Sequence, residues 1–257
     1  MLIETHCHLD YLKALPLEEI RQKISEAGIS KVITIGVDPL NLDKVMELSH
    51  QFGEIYFTQG IHPHDAKEAT EVEFTKILER SRDKKMVAVG EIGLDYHYDN
   101  SPRDIQRKQF ERQLQIAVDT DLPVVIHTRE AEEDTMSILR NFSSSLKRKG
   151  VIHSFTSSME LAQFVLNEGF YIGFNGIITF KKAENVQEVV KITPKERILF
   201  ETDSPFLTPV PHRGKENAPY YLPVIAEKIS ELKGMELEIL KAQVFQNSLD
   251  CFFKLTL

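Results

Sequence analysis

The sequence predicts an α/β protein built as a (β/α)8 TIM barrel, and two observations support this prediction. Short apolar runs recur about every thirty residues, and segments with helical periodicity lie between them. The runs are continuously apolar, as expected for strands buried on both faces of a parallel sheet. Eight such units without a break favour a closed barrel, although the alternation alone fits an open parallel sheet of seven or eight strands equally well.

The predicted strands and helices alternate along the whole chain. The apolar or β-branched runs that predict strands cover residues 1–4, 31–36, 55–60, 86–90, 123–126, 150–152, 170–174 and 198–200. Apolar side chains at helical spacing predict helices over residues 17–27, 40–52, 103–120, 160–168 and 220–233.

Length and composition indicate one domain over residues 1–257. A chain of 257 residues could hold two domains, but α/β barrels commonly reach this size as one. Cys7 and Cys251 have no spacing typical of a disulfide framework or a zinc knuckle, which favours a reducing compartment. The sequence begins without a basic and apolar leader, and no apolar run approaches the roughly 18 residues that span a bilayer. We therefore expect a cytoplasmic protein with no membrane contact.

The net charge of −8, from 31 basic and 39 acidic residues, excludes a cationic coat that binds nucleic acid nonspecifically. It does not exclude an enzyme that takes a phosphate group into a metal site, because metal ions supply the local positive charge.

The first candidate metal ligands are His6 and His8. Residues i and i+2 of a strand face the same way, so these two imidazoles could share an ion while Cys7 points away. The pair is weak by itself, because nine histidines in 257 residues produce about 0.3 such pairs by chance, as His62-Pro63-His64 illustrates.

Further candidates directly follow other apolar runs. They are Glu91, His127, His153, Glu201 and Asp203. Each has an ordinary structural explanation: a strand-terminal carboxylate in water, a hydrogen-bonded core histidine or a loop cap. In a barrel, however, the strand ends converge on one mouth, where active sites lie. If none of these residues bound metal, an independent structural explanation would have to hold at every one of these strand ends. The set therefore favours the barrel, and it favours two divalent ions bridged by a carboxylate.

These residues stand in motifs that resemble the TatD family of metal-dependent deoxyribonucleases, which belong to the amidohydrolase-like barrels. The resemblance runs from Thr5 to Asn247. The motifs are Thr5-His6-Cys7-His8-Leu9-Asp10, Gly60-Ile61-His62-Pro63-His64, Glu91-Ile92-Gly93-Leu94-Asp95-Tyr96, His127-Thr128-Arg129, Glu201-Thr202-Asp203-Ser204-Pro205 and Pro211-His212-Arg213-Gly214-Lys215.

The resemblance implies a two-metal site. By matching position, the implied ligands are His6, His8 and Asp203 for one ion, His127 and His153 for the other, and Glu91 as the bridge. His62 and His64 would face the substrate phosphate or the leaving oxygen. Members of the family cut DNA, often as exonucleases, and some act at abasic sites or on RNA. Relatives have been linked to removing D-amino acids from tRNA.

We therefore expect a deoxyribonuclease that works from the 3′ to the 5′ end, with Asp203 and Glu91 as its catalytic residues. Two divalent ions bring a formal charge of about +4, of which Glu91 and Asp203 cancel two units. A water between the ions would lose a proton to Asp203, and the hydroxide would attack phosphorus in line. Imidazole and carboxylate ligands suit Zn, Ni or Mn, and Mg is also compatible.

Several charged residues surround this expected site. We expect Arg129 and Arg213 each to donate two hydrogen bonds to phosphate oxygens. Lys215 would lie within reach of the mouth, whereas Lys181 and Lys182 fit solvated surface charges. We expect Glu201 and Asp95 to orient metal ligands.

The chain departs from the family pattern at several positions. Glu4 stands where Asp is frequent, Ser154 where Cys is frequent, and Thr156-Ser157 where Ser-Gly is frequent. The loop after Gly214 is less basic than usual, and Glu216 adds negative charge near the mouth, which weakens the case for nucleic acid as the physiological substrate.

Two other functions compete with the nuclease. The same ions could serve an amide, lactone or ester hydrolase, such as a D-aminoacyl-tRNA deacylase, because fold does not determine substrate. An open basic groove would favour the nuclease, and a closed apolar pocket would favour the ester or amide hydrolase. A non-catalytic binding protein is disfavoured because competent residues fill all six ligand positions. We expect a monomer with no obligate protein partner.

Overall fold

Eight parallel strands form one sheet in the computed structural model, which describes residues 1–256, and each strand pairs with the next along the chain. The strands are β1 (Leu2–Cys7), β2 (Ile29–Gly36), β3 (Ile55–Gln59), β4 (Met86–Asp95), β5 (Val124–Arg129), β6 (Gly150–Ile152), β7 (Tyr171–Phe174) and β8 (Ile198–Phe200). The predicted (β/α)8 barrel is confirmed. The last residue of the predicted domain, Leu257, lies outside the described residues.

Helices follow the strands and surround the sheet. They are α1 (Leu17–Glu26), α2 (Leu42–Gln51), α3 (Glu71–Arg80), α4 (Arg103–Thr120), α5 (Glu132–Phe142), α6 (Met159–Asn167), α7 (Glu184–Ile192), α8 (Leu222–Lys233) and α9 (Leu237–Cys251). The five helices that the apolar spacing predicts are all present, with ends within two residues. No helix among residues 1–256 is long and apolar enough to cross a membrane.

Three strands extend beyond the predicted ends. β1 continues to Cys7, β4 to Asp95 and β5 to Arg129. The predicted ends are wrong because each prediction stopped where the apolar run stopped. Polar residues at these positions are nevertheless buried, for example His6 and Glu91, which are only 1% and 3% exposed. These side chains point into the barrel, so an apolar pattern cannot report the strand that carries them.

The seam between β8 and β1 is closed by the segment that follows β8. Thr5 Oγ1 donates to the carbonyl of Phe200 at 2.9 Å, and the amide of Asp203 donates to the carbonyl of His6 at 2.9 Å. The buried carboxylate of Glu4 accepts from the amides of His6 (3.1 Å) and Thr202 (2.9 Å). Burial raises the pKa of Glu4 well above its ordinary value. The seam therefore holds His6 beside Asp203.

The amino-terminal end of the barrel is filled with apolar side chains. Ile33, Val125 and Leu199 from three strands belong to one buried cluster with Phe252 and Leu255, which follow α9. A second and larger apolar cluster fills the space between the strands and the helices. The opposite end of the barrel carries the buried histidines and carboxylates, so this is where a functional site must lie.

Asn247 on α9 joins this helix to the segment that leads into β8. Its side chain is 2% exposed, and its Nδ2 donates to the carbonyls of Lys195 (2.7 Å) and Ile198 (2.9 Å). We expect Asn247→Ala to lower the free energy of unfolding by about 1–3 kcal/mol, because one buried and one partly buried carbonyl lose their donor. Urea unfolding measures this change. Gln246→Ala, at the exposed neighbouring position, is the control, and equal losses in both variants would contradict the assignment.

Candidate metal centre

Histidines and carboxylates from at least five strands or their following loops converge at the carboxyl end of the barrel. They line and underlie a cavity of about 430 Å³. The residues that line it are His8, Tyr11, Val37, His62, His64, Asp65, Glu91, Asp95, Tyr98, His127, Arg129, Asp203, Phe206 and Leu207. His6 and His153 are buried beneath this lining. The structure thus brings all six predicted ligands together.

Glu91 on β4 lies at the centre of the cluster. Its Oε2 is 3.3 Å from His6 Nε2, and its Oε1 is 2.7 Å from His153 Nε2 and 3.2 Å from His127 Nδ1. Oε1 is also 3.4 Å from His62 Nε2. Burial by itself would raise the pKa of Glu91, but the surrounding histidines lower it well below its ordinary value. An ionised carboxylate surrounded by imidazoles is a competent ligand for a metal ion.

One group of ligand atoms consists of His6, His8 and Asp203, which lie within 4.8 Å of one another. Asp203 Oδ1 is 3.7 Å from His6 Nε2 and 3.6 Å from His8 Nε2. Asp203 follows β8 in a left-handed backbone conformation with φ of 57°. This group coincides with the ligands that the resemblance implies for one ion.

A second group consists of His62, Glu91 and His127. It differs from the implied second set, because His62 lies within ligand distance of Glu91 and His127 although the resemblance assigns it to the substrate. His153, the other implied ligand, belongs instead to a third group with His6 and Glu201. The ring of His153 is stacked on that of His6, with centroids 3.8 Å apart.

Unpaired buried nitrogens show that this donor set fits a divalent cation. Neither ring nitrogen of His6 or His153, nor Nδ1 of His8, makes a hydrogen bond of suitable angle among residues 1–256, although Nε2 of His6 and of His153 lie 3.3 and 2.7 Å from oxygens of Glu91. Buried polar atoms in proteins almost always have a partner. A metal ion between imidazole nitrogens and carboxylate oxygens would provide one, and such mixed ligands are typical of transition metals.

Asp95, at the end of β4, orients two of the histidines. Its Oδ2 lies 3.0 Å from His127 Nε2 and 3.1 Å from His64 Nε2, and its Oδ1 accepts from the amides of His97 and Tyr98. Burial would raise the pKa of Asp95, but these hydrogen bonds lower it overall. The contact directs Nδ1 of His127 towards Glu91. Asp95 therefore has the orienting contact expected of a carboxylate at this position.

Close approach of β4 and β5 depends on a glycine. Gly93 pairs with His127 and has φ of 141°. A Cβ at this position would lie only 1.9 Å from the carbonyl oxygen of His127. The absence of a side chain at Gly93 therefore lets His127 come close to Glu91.

Glu201 and Asp203 follow β8, which ends at Phe200, and both carboxylates reach the buried histidines. Glu201 turns to β6, where its Oε1 accepts from the amide of Ser154 at 2.5 Å and lies 3.6 Å from His153 Nδ1. Glu201 is fully buried and lies on the side of His153 away from Glu91, so it can orient that ring.

Of the predicted substrate contacts, His62, His64 and Arg129 line the cavity, whereas Arg213 is not among the lining residues. Arg213 donates to the carbonyl of Thr208 at 3.2 Å, and its guanidinium lies 4.2 Å from the centre of the Phe180 ring. These contacts turn it away from the ligand cluster.

Glu216 has a structural contact that the sequence did not reveal. Its carboxylate accepts from the backbone amides of Lys13 and Ala14, joining the loop after β1 to the loop after β8. Its charge is therefore partly compensated within the loops rather than directed at the cavity.

Sequence reasoning missed three aromatic residues of the cavity: Tyr11, Tyr98 and Phe206. Each follows β1, β4 or β8 by only a few residues, and this proximity to a strand end is the signal that could have found them.

The chain is similar to known proteins along nearly its whole length. The family described as TatD related DNase matches residues 3–253. The chain is 40% identical to the uncharacterized metal-dependent hydrolase YabD of Bacillus subtilis, covering 96% of this chain and 97% of YabD. It is 32% identical to deoxyribonuclease Tat-D of Schizosaccharomyces pombe, covering 92% of this chain and 87% of that protein. The structure of YJJV, a TatD homologue from Escherichia coli, is 29% identical and covers 98% of each chain with a TM-score of 0.91.

The position of the Glu201 carboxylate predicts that adding a side chain at Gly173, on β7, disturbs the site. A Cβ there would lie 2.3 Å from Glu201 Oε2, so Gly173→Ala must displace the carboxylate beside His153. We expect the free energy of unfolding to fall by about 1–3 kcal/mol, and metal binding to weaken as well. Urea unfolding and a Mn²⁺ titration of chelator-treated protein measure the two effects.

Gly53→Ala is the matched control, because a Cβ at Gly53 has no neighbour within 4 Å. Unchanged stability and metal affinity in both variants would show that Glu201 does not occupy the described position.

Proposed function

The chain belongs to the TatD family of metal-dependent hydrolases, and from this premise we propose that it is a deoxyribonuclease that removes nucleotides from the 3′ end of DNA. The observation that carries the proposal is Glu91, whose two oxygens face different imidazole groups beneath a cavity that opens at the barrel mouth. The deoxyribonuclease name of the S. pombe relative and the resemblance of the motifs support nucleic acid as the substrate.

We propose two divalent ions at this centre. His6, His8 and Asp203 would hold one, His127 and His153 the other, and Glu91 would lie between them. His62 is an additional candidate ligand, since it lies within ligand distance of Glu91 and His127. Bound divalent ions supply Lewis acidity, which stabilises negative charge on a phosphoryl group and favours loss of a proton from a nucleophilic water.

Asp203 is the proposed proton acceptor. Its side chain is 12% exposed, so it reaches the cavity while its Oδ1 remains beside His6 and His8. Burial would raise the pKa of Asp203, but His8, His6 and His153 lower it overall. The carboxylate is therefore ionised near neutral pH and can accept a proton from a water at the cavity floor.

His62, His64 and Arg129 are the proposed substrate contacts. Burial lowers the pKa of His62 to about 4, so this imidazole is neutral near physiological pH, and because its Nδ1 accepts from the amide of His64, its Nε2 is the atom that could donate to a substrate. Asp95 holds His64 in place. Arg129 lines the cavity and can donate hydrogen bonds to two phosphate oxygens.

A second candidate is a hydrolase of esters or amides, such as a D-aminoacyl-tRNA deacylase. The observation that favours it is the lining of the cavity, in which Arg129 is the one lysine or arginine and Val37 and Leu207 contribute apolar surface. A cavity of about 430 Å³ also accepts a group of small-molecule size rather than a duplex. Both candidates use the same residues, and the substrate distinguishes them.

We also propose that the protein is a cytoplasmic monomer without an obligate partner. Cys7 and Cys251 are both buried free thiols, a state that a reducing compartment preserves.

The nuclease proposal predicts cleavage of single-stranded DNA that depends on metal and on Asp203. Chelator-stripped protein should be inactive, and Mg²⁺, Mn²⁺ or Zn²⁺ should restore release of nucleotides from the 3′ end of 3′- and 5′-labelled oligonucleotides. Asp203→Ala should lower kcat by about 10²–10⁴-fold, because it removes the proton acceptor. Asp104→Ala, at an exposed position on α4, should retain activity.

A measurement of the number of metal ions bound makes a failure to cleave DNA informative. If the protein binds about two ions yet cleaves no DNA with any metal, the nuclease proposal fails. Hydrolysis of D-aminoacyl-tRNA by the same preparation would then establish the second candidate.

A further inference from the structure

Two large aromatic side chains at the mouth of the cavity are exposed to solvent. Phe206 is 51% exposed and Tyr98 is 55% exposed, and both line the same cavity as the candidate ligands. Aromatic surface left in water costs free energy, so its position beside a polar cavity calls for a function. The mechanism above uses neither ring.

The two rings lie on opposite sides of the ligand cluster. Phe206 follows β8, and its ring centre is 6.0 Å from that of His8. Tyr98 follows β4, and its ring centre is 5.3 Å from that of His64. Since β4 and β8 are separated by half of the barrel, Glu91 and its histidines lie between the two rings.

The backbones of both residues make hydrogen bonds, and about half of each side chain remains exposed. The amide of Tyr98 donates to Asp95 Oδ1 at 2.9 Å, and the amide of Phe206 donates to the carbonyl of Asp203 at 3.0 Å. Asn217 Nδ2 also donates to the carbonyl of Phe206. The backbone of each aromatic residue is thus connected to a residue of the candidate site.

Tyr98 also carries a cationic neighbour. The guanidinium of Arg129 lies 4.8 Å from the centre of the Tyr98 ring. Arg129 can therefore contact a phosphate while it packs on the aromatic ring. Alternation of an aromatic face with a phosphate-binding cation matches the alternation of base and phosphate along a single strand.

We propose that Tyr98 and Phe206 are stacking platforms for the unpaired bases on the two sides of the phosphate that is cleaved. This inference rests on the proposed nuclease function and specifies its substrate class as single-stranded DNA that carries bases at the terminal nucleotides. An aromatic ring stacks with every base, so the platforms would give little sequence preference. A duplex end would have to open before its bases could reach the rings.

The test compares two single-stranded oligonucleotides of the same length, one with bases throughout and one with abasic residues at its last three nucleotides. Wild type should cleave the base-bearing strand with a kcat/KM about tenfold higher than that for the abasic strand. Tyr98→Ala and Phe206→Ala should each lower kcat/KM for the base-bearing strand more than for the abasic strand, mainly through a higher KM, and so reduce this preference. Phe206→Tyr should restore the preference.

Phe253→Ala is the control, because Phe253 is a 39% exposed aromatic residue just after α9 and does not line the cavity. An equal fall in cleavage of both strands in the platform variants, or no change in either, would overturn the stacking proposal.

Fluorescence anisotropy of the two labelled oligonucleotides separates this proposal from the nuclease proposal. Tighter binding of the base-bearing strand that is lost in Tyr98→Ala and Phe206→Ala, without cleavage by wild type, would retain the platforms and reject the nuclease. Equal binding of both strands by wild type would reject the platforms.

Discussion

The buried carboxylate of Glu91 imposes the main physical constraint on this structure. An ionised carboxylate that is 3% exposed is strongly disfavoured unless positive charge or donors surround it. Here the compensation comes from His6, His127 and His153, which belong to or follow β1, β5 and β6. These strands come from separate parts of the chain, so only a closed barrel places their carboxyl ends around one point. The fold and the candidate metal centre therefore depend on each other.

Closure of the barrel and assembly of the site use the same contacts. The amide of Asp203 donates to His6, and the amide of His8 donates to the carbonyl of Ser204. Glu4 joins the two sides of this seam with its buried carboxylate. A change from Asp to Glu at this position is thus more than a peripheral difference, because the longer side chain spans from β1 to the segment after β8. Displacement at the seam would move two candidate ligands together.

The cavity combines features that favour different substrates. Its size and its single arginine are typical of a site for a small group, whereas the candidate metal ligands and the exposed aromatic rings suit a nucleotide. These features agree if a single-stranded end, rather than a duplex, enters the mouth. A net charge of −8 is compatible with this arrangement, because attraction for phosphate would be local to the metal centre instead of spread over the surface.

The sequence by itself determined the eight alternating units, because buried parallel strands are continuously apolar, and the polar residues that follow the apolar runs favoured a closed barrel and identified most of the candidate ligands. Glu91, His127 and His153 could be found in this way. The tertiary structure alone decided how these residues are grouped. His62 comes within reach of Glu91, Glu201 accepts from the amide of Ser154 beside His153, and Arg213 packs on Phe180 instead of facing the cavity. Periodicity reports the burial of each element separately, whereas these contacts join loops from different strands and depend on how the whole barrel packs.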